Sequence, residues 1–436
     1  MATLRPFRGW RYAADQTEAL LAPPYDVIGA AEREALAARH PHNVVHLILP
    51  QPASGLDAYE HAAALLRRWQ AEGVLRRDET PSLYLLHQRF RLPDGRERER
   101  RGLIAALRLA PWGEGILPHE RTFPQTKADR LALLKAIGLE DSPIFTLAPD
   151  PDGVLRDHLR RAMARPPDRV YHDGEGTRHA LWQETDPALI AALCHRLADR
   201  TLYVADGHHR YETALAYQVW RQEQVSTAAD AEHDFCLAYV AALEDPGVVI
   251  LPTHRLLVHA PPFDPERFLA ALAADFDRVP LADDEALIAA IGSEAAGAPV
   301  FGLILAGMAP QLLRLRPHPA QRRVLLAAYP EPVAALPTAI LQALILGPHF
   351  GIGSDPAIQK TQLRFTADAR AAVAHVRTGR GPAAVLTTPT SPEQLRRLAD
   401  ARCVAPPKST YFYPKLPAGL VFYQAGPVQP VSFNPA

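Results

Sequence analysis

The feature that most limits the fold is a pair of strand-like runs, "SLYLLHQRFRL" (82–92) and "RRGLIAALRLA" (100–110), with "PDG" (93–95) between them. Pro-Asp-Gly supplies turn chemistry, so the two runs read as an antiparallel hairpin. A strand–helix–strand crossover joins parallel strands instead, so this hairpin argues against a purely doubly wound sheet. The neighbouring segments agree. "NVVHLIL" (43–49) reads as a strand, and helical patterning fills 56–72 and 127–137. "SPIFTLA" (142–148) reads as a strand, followed by a helix near 153–164, a possible hairpin from "RVYHD" and "HALWQET", and a helix at 187–198. The strand "TLYVAD" leads into another helix, and "FCLAYVAAL" and "VVILPTHRLLV" follow as strands. Hairpins alternating with helices predict an α+β fold built on a mixed sheet.

From about residue 261 the texture changes. "PPFDPERFLAALAADF" and "DDEALIAAIG" pattern as amphipathic helices, and "PVFGLILAG" and "QLLRLRP" as a strand pair. "FTADARAAVAHV", "PAAVLTTP" and "PEQLRRLADA" continue the alternation. We therefore expect an α+β domain over 1–260 and a second α/β domain over 261–436. The proline-rich end, "PPKSTYFYPKLPAGLVFY", should fold back over another part of the molecule. A chain of 436 residues has ample length to bury two such cores.

Composition removes several function classes. Lys plus Arg number 47 against 48 for Asp plus Glu, so no bulk positive field recruits nucleic acid, and phosphate recognition has to be local. Cys194, Cys236 and Cys403 stand far apart with no C-x-x-C, which disfavours a zinc ribbon, a redox dithiol or a disulfide framework; they read as buried thiols. "MATLRPFRGWRY" lacks the apolar run of a signal peptide, and "VAALPTAILQALILG" is interrupted by Pro337, Thr338 and Gln342, so a cytoplasmic protein is expected. There is no G-x-G-x-x-G, H-E-x-x-H or G-x-S-x-G, and "GIGSDPAIQKT" lacks the glycine that a phosphate loop places before Lys360.

The chemistry concentrates in "YVADGHHRYETAL" (203–215). An apolar strand meets Asp206-Gly207, a pair suited to a turn with positive φ, and Tyr211, Leu215 and Val219 then recur as a helical stripe. His208, His209 and Arg210 occupy the first helical turn, where amide N–H groups and the positive end of the dipole converge. Cations are disfavoured there by roughly 0.3–1 kcal/mol each. A bound polyphosphate reverses that penalty. Two other readings stay open: hydrogen-bonded turn histidines with Arg210 paired to Glu212 or Asp206, and a metal held by Asp206, His208 and His209.

A second charged island is "HERTFPQTKADRLALLKAIG" (119–138). Thr126 and Asp129 fit a capping box for a helix starting near Lys127, which places Lys127 and Arg130 at its N-terminus as a second anion seat, or as a solvated basic turn paired with Asp129. His119-Glu120-Arg121 falls in the preceding loop. Weaker candidates are Asp26 in "PPYDVI", His254 and Arg255 as a surface ladder pair, and Lys408, Ser409, Thr410 and Lys415 as a lid over phosphate.

"DGHHRYETA" resembles the phosphate box of the ParB/sulfiredoxin superfamily. Sulfiredoxin carries Gly-Cys-His-Arg-Tyr-Glu-Ala where this chain has Gly207-His208-His209-Arg210-Tyr211-Glu212-Thr213. His208 replaces the reactive cysteine, which rules out sulfinic-acid repair. The free serine kinases of that superfamily carry a closer Asp-Gly-His-His-Arg run. Through "PFRGWRY", "PPYDVI", "HPHNVVHLILP", "LPHERTFPQTKADRLALLKA", "SPIFTL", "ADGHHRYETAL" and "PPKSTYFYPKLPAGLVF", the chain also resembles the mainly bacterial family catalogued as domain of unknown function 1015.

The superfamily resemblance implies a ParB/sulfiredoxin-like core, ATP or ADP with Mg²⁺, and a phosphotransferase acting on a small hydroxylated metabolite such as free L-serine. Gly207, His209 and Arg210 would then hold the phosphates, Asp206 or His208 would help hold the metal, and Lys127 or Arg130 would hold a substrate carboxylate or phosphate. Glu120 would be the general base. The same pocket admits two alternatives: a phosphatase on a small phosphomonoester such as phosphoserine, or a non-catalytic ParB-like nucleotide-binding or DNA-associated protein.

Overall fold

The structure is a computed structural model that describes residues 2–13, 18–53, 55–120, 122, 124–224, 230–259, 263–353, 359 and 361–429. Lys360 and Arg121, both considered above, lie outside the described residues. The fold is mixed α/β and divides into two compact units. The first comprises Met1–Pro118, Thr122–Val248 and Pro414–Ala436; the second comprises His119–Arg121 and Val249–Tyr413.

The hairpin is the spine of the first unit. Leu83–Arg91 and Glu97–Arg108 pair antiparallel from Tyr84↔Ile104 to Arg91↔Glu97, and Gly95 takes φ +85° in the turn. They lie inside a nine-stranded sheet ordered Ile116–Leu117, Leu202–Asp206, Ile144–Ala148, Phe235–Ala242, Glu97–Arg108, Leu83–Arg91, Arg178–Glu184 and Arg169–His172, with Leu4–Arg5 pairing separately with Glu97–Arg108. Phe235–Ala242 runs antiparallel to Glu97–Arg108 on one side and parallel to Ile144–Ala148 on the other, so the sheet is mixed. Every residue of Phe235–Ala242 is buried, which is why its sequence is an unbroken apolar run without alternation.

In the second unit six strands pair antiparallel throughout, in the order Phe276–Pro280, Gln311–Leu315, Val300–Leu305, Ala383–Thr387, His254–Leu257 and Leu363–Thr366. Val249–Leu251 pairs with Tyr411–Tyr413 in the same unit. Two of these strands, Val249–Leu251 and His254–Leu257, lie before residue 261 in the chain, because pairing and not local composition decides which unit a strand joins. For the same reason Tyr423–Gln424 pairs with Leu139–Glu140 in the first unit.

Several local expectations give way. "NVVHLIL" forms a helical turn, Val45–Ile48, instead of a strand. Buried Asn43 decides this: its side-chain oxygen accepts from the Val45 amide at 2.9 Å, and its amide donates to the carbonyls of Ala19 and Leu21 at 2.7 and 3.1 Å. The helix expected from Lys127 begins at Pro124, so Thr126 is already helical and does not cap it. His254 and Arg255 are not a surface pair. Their strand is flanked on both sides, they are 2% and 4% exposed, and burial pushes the imidazole down to about 4 and the guanidinium down to about 9. Of the cysteines, only Cys236 is buried; Cys194 and Cys403 are partly accessible. Among the described residues no helix is long and apolar enough to cross a membrane.

Replacing Asn43 with Ala should lower stability by roughly 2–4 kcal/mol, because two carbonyls and one amide lose their partner in the interior. Urea unfolding followed by far-ultraviolet circular dichroism measures this, and a loss under 0.5 kcal/mol would show that the turn at Val45–Ile48 does not depend on Asn43.

Candidate functional site

Strand Leu202–Asp206 ends at Gly207, which takes φ +91°, and helix His208–Gln224 begins at the next residue. Glycine is required here for two reasons. The left-handed backbone penalises a side chain, and a Cβ at 207 would stand 3.1 Å from the guanidinium carbon of Arg210. The guanidinium therefore folds back over the turn. Its Nη2 donates to Asp206 Oδ2 at 2.8 Å and its Nη1 to the Pro143 carbonyl at 2.5 Å. This is one of the two carboxylate pairings left open above.

Lys415 Nζ donates to the other Asp206 oxygen at 2.7 Å. Burial alone would raise the Asp206 carboxyl, but Lys415 and Arg210, joined by His208, hold it well below the usual carboxylate range. Arg210 is raised in return, because Asp206, Asp26, Tyr25 and Asp141 together outweigh its burial. Lys415 is positioned by its neighbour: the Pro414 carbonyl accepts from Nη2 of Arg100 at 2.9 Å. Arg100 is fully buried, donates from Nε to Gln88 at 3.0 Å, and lies 4.5 Å over the Phe145 ring.

The first main-chain bond of the helix runs from the Tyr211 amide to the Gly207 carbonyl, 3.0 Å. The amides of His208, His209 and Arg210 therefore precede the ladder, at the positive end of the dipole. The His208 ring is buried 6.3 Å from that of Trp112, and the His209 carbonyl accepts from the Thr213 hydroxyl at 2.7 Å. Tyr211 is fully buried, but Val219 is 56% exposed. A strict four-residue step drifts by about 40° per turn, so the buried face runs through Tyr211, Ala214 and Tyr217 instead.

Glu212 ties the second island to this helix. Its carboxylate accepts from Trp112 Nε1 at 3.1 Å and the Thr122 hydroxyl at 2.6 Å, and pairs with Lys127 Nζ at 2.8 Å. Burial would raise it, but these donors together hold it below its ordinary value. Arg130, one turn further along, donates to Asp129 at 2.8 Å and to the Ile48 carbonyl at 2.5 Å, and stacks 4.5 Å over the Tyr25 ring. Arg130 and Arg210 line one cavity, together with Tyr25, Asp141, Ser142 and Thr213. Asp206, Gly207, His208, His209, Arg210, Lys127 and Arg130 thus all belong to the first unit.

Glu120 groups with the second unit. Its neighbour His119 is buried there: Nε2 shares a 2.8 Å hydrogen bond with the Thr410 hydroxyl, the carbonyl accepts from the Ala405 amide at 2.8 Å, and the ring lies against Phe412. Lys408, Ser409 and Thr410 belong to that unit as well, and Lys415 to the first. The residues that sequence reasoning did not single out are Tyr25, Arg100, Trp112, Glu140, Asp141 and Ser142. A signal for three of them was the charged "EDS" just ahead of the apolar strand Ile144–Ala148.

Asp206 would have to offer a magnesium ion oxygens that already accept from Arg210 and Lys415. Among the described residues no three His, Cys, Asp or Glu side chains are grouped so as to hold a metal.

No curated protein matches the chain. Similar solved structures include a conserved hypothetical protein from Pyrococcus furiosus, at 13% identity over 70% of this chain and 91% of that one, TM-score 0.30. A free serine kinase in complex with AMP is 12% identical over 70% and 87% of the two chains, TM-score 0.32, and a mutant of it in complex with ADP is 11% identical over the same shares, TM-score 0.32. The family model described as "Protein of unknown function (DUF1015)" matches residues 4–339, more than half of the sequence, and the chain therefore belongs to that family.

Proposed function

We propose that the protein is a nucleotide-dependent phosphotransferase acting on a small hydroxylated metabolite, with free L-serine the leading acceptor, on a core of ParB/sulfiredoxin type. The observation that carries this reading is the Gly207 turn. It presents the amides of His208, His209 and Arg210 beside a guanidinium that is oriented by Asp206 and Pro143 and packed over the glycine. In this reading Gly207, His209 and Arg210 hold the phosphates of ATP or ADP. His208 acts beside them, and Lys127 and Arg130 steer the anionic part of the acceptor.

The acceptor oxygen forms a bond to the terminal phosphorus of the nucleotide as the phosphoanhydride oxygen leaves with its electron pair, and the hydroxyl proton passes to solvent. Asp206 serves as a positioning residue for Arg210 and Lys415, and no step is routed through a protein-bound metal. The near-balance of charge, 47 basic against 48 acidic residues, is why we prefer a metabolic substrate to DNA.

Incubation with L-serine and either ATP or ADP should yield phosphoserine, resolved by phosphorus magnetic resonance. Net loss of phosphoserine added without nucleotide would replace this reading with a phosphatase. Arg210→Ala should weaken nucleotide binding at least tenfold by calorimetry while the circular dichroism spectrum is retained, since Asp206 keeps Lys415; unchanged affinity would remove Arg210 from the site. Gly207→Ala should cost about 1–2 kcal/mol of stability from the left-handed backbone alone, and should displace the guanidinium. The same calorimetry should therefore show weaker nucleotide binding even though no polar group has been removed.

A further inference from the structure

The cavity shared by Arg130 and Arg210 measures about 60 Å³, whereas one water requires roughly 10–15 Å³, so it has room for about four waters or one compact molecule. A nucleotide base and sugar exceed this. One side is apolar, formed by Leu133, Leu134, Ile137, Leu139 and Ile144. The polar side brings together groups of both signs.

The cationic pair comes from two helices, Arg130 from Pro124–Ile137 and Arg210 from His208–Gln224. Each guanidinium has five N–H donors. Arg130 spends Nε and Nη2 on Asp129 and Nη1 on Ile48, and Arg210 spends Nη2 on Asp206 and Nη1 on Pro143, so neither uses all five donors in these bonds, and both residues line the cavity. The same cavity is lined by the carboxyl groups of Glu140 and Asp141, consecutive residues before the strand Ile144–Ala148. Glu140 accepts from the Leu237 amide through one oxygen, and Asp141 accepts from the Ser142 hydroxyl.

We propose that this cavity binds a compact molecule carrying both a carboxylate and a protonated amine, with the carboxylate on Arg130 and Arg210 and the amine on Glu140 and Asp141. Taking that molecule as the acceptor rests on the phosphotransferase reading. The binding itself does not.

The electrostatics of the cavity support a ligand of both signs. Burial pushes the Glu140 carboxyl up to about 8 against the Leu237 amide, and it raises Asp141 against the Ser142 hydroxyl and the two guanidiniums. Apart from the two guanidiniums, the titratable groups coupled to this pair are Tyr12, Tyr217 and Cys236, whose ionisations burial moves upward, so they stay neutral near pH 7. In the unliganded cavity Glu140 is therefore mostly protonated at pH 7. A ligand ammonium beside it favours the carboxylate and drives its proton into solution, so affinity rises as pH increases from about 6 to 8.

The test is titration calorimetry of the full chain with L-serine, without nucleotide, at pH 7 in buffers of different ionisation enthalpy. We expect saturable binding with release of about one proton per site. Glycerate, which has the carboxylate and hydroxyls but no amine, should bind at least tenfold more weakly and release none. Glu140→Gln preserves an acceptor for the Leu237 amide and should abolish the release with the fold intact, and Arg130→Met should weaken L-serine at least tenfold. Absence of L-serine binding, or binding with no proton release and no response to Glu140→Gln, overturns the inference. A nucleotide titration on the same sample separates the two proposals. Nucleotide binding without amino-acid binding removes this one and spares the phosphotransferase, whereas amino-acid binding without nucleotide binding does the reverse.

Discussion

The carboxylate of Asp206 is the point on which the site depends. It closes a strand, stands before a left-handed glycine, and takes one cation on each oxygen: Arg210 from the following helix and Lys415 from the C-terminal segment. Without it, two cations would share a largely desolvated corner beside the positive end of a helix. Removing one member of a buried charge group typically costs 3–5 kcal/mol, because the remaining charges stay behind uncompensated. The arrangement also leaves a net positive charge next to the amides of the first turn, which is the electrostatic condition for attracting a phosphate.

The same problem is solved twice in the first unit. Lys127, like Arg210, lies near the start of a helix, where the macrodipole opposes a cation by a few tenths of a kcal/mol to about 1. Glu212 neutralises it from the neighbouring helix, while Trp112 and Thr122 satisfy the rest of that carboxylate. The two helix starts are thereby coupled through charge, and the cavity between their arginines inherits a fixed geometry. Arg100 extends the coupling to the hairpin: buried over Phe145, it holds the Pro414 carbonyl and so delivers Lys415.

Much of the fold could be read locally. The hairpin with its Pro-Asp-Gly turn, the helix Pro187–Ala198 and the strand Leu202–Asp206 fall where the pattern places them, because hydrophobic period and turn chemistry act over a few residues. The misreadings share one cause. Val45–Ile48 is apolar enough for a strand, but Asn43 contributes a side-chain bond that no period reveals. His254 and Arg255 look like surface residues until both flanking strands are in place. The Asp206–Arg210 segment was legible in the same way, as a turn followed by a helix start; of the cavity residues, Glu140 and Asp141 showed only as charges ahead of an apolar strand and Tyr25 not at all, because what packs against them comes from distant parts of the chain.

The sequence by itself determined the order of strands and helices and the backbone of the Asp206-Gly207 turn, since φ and ψ preferences and capping are set by immediate neighbours. Tertiary structure alone decided the partners. Lys415 reaches Asp206 across 209 residues, and the guanidiniums of Arg130 and Arg210 meet in one cavity although 80 positions part them in the chain. Ion pairing and desolvation depend on distance in space, and that distance exists only after the sheet and helices have packed.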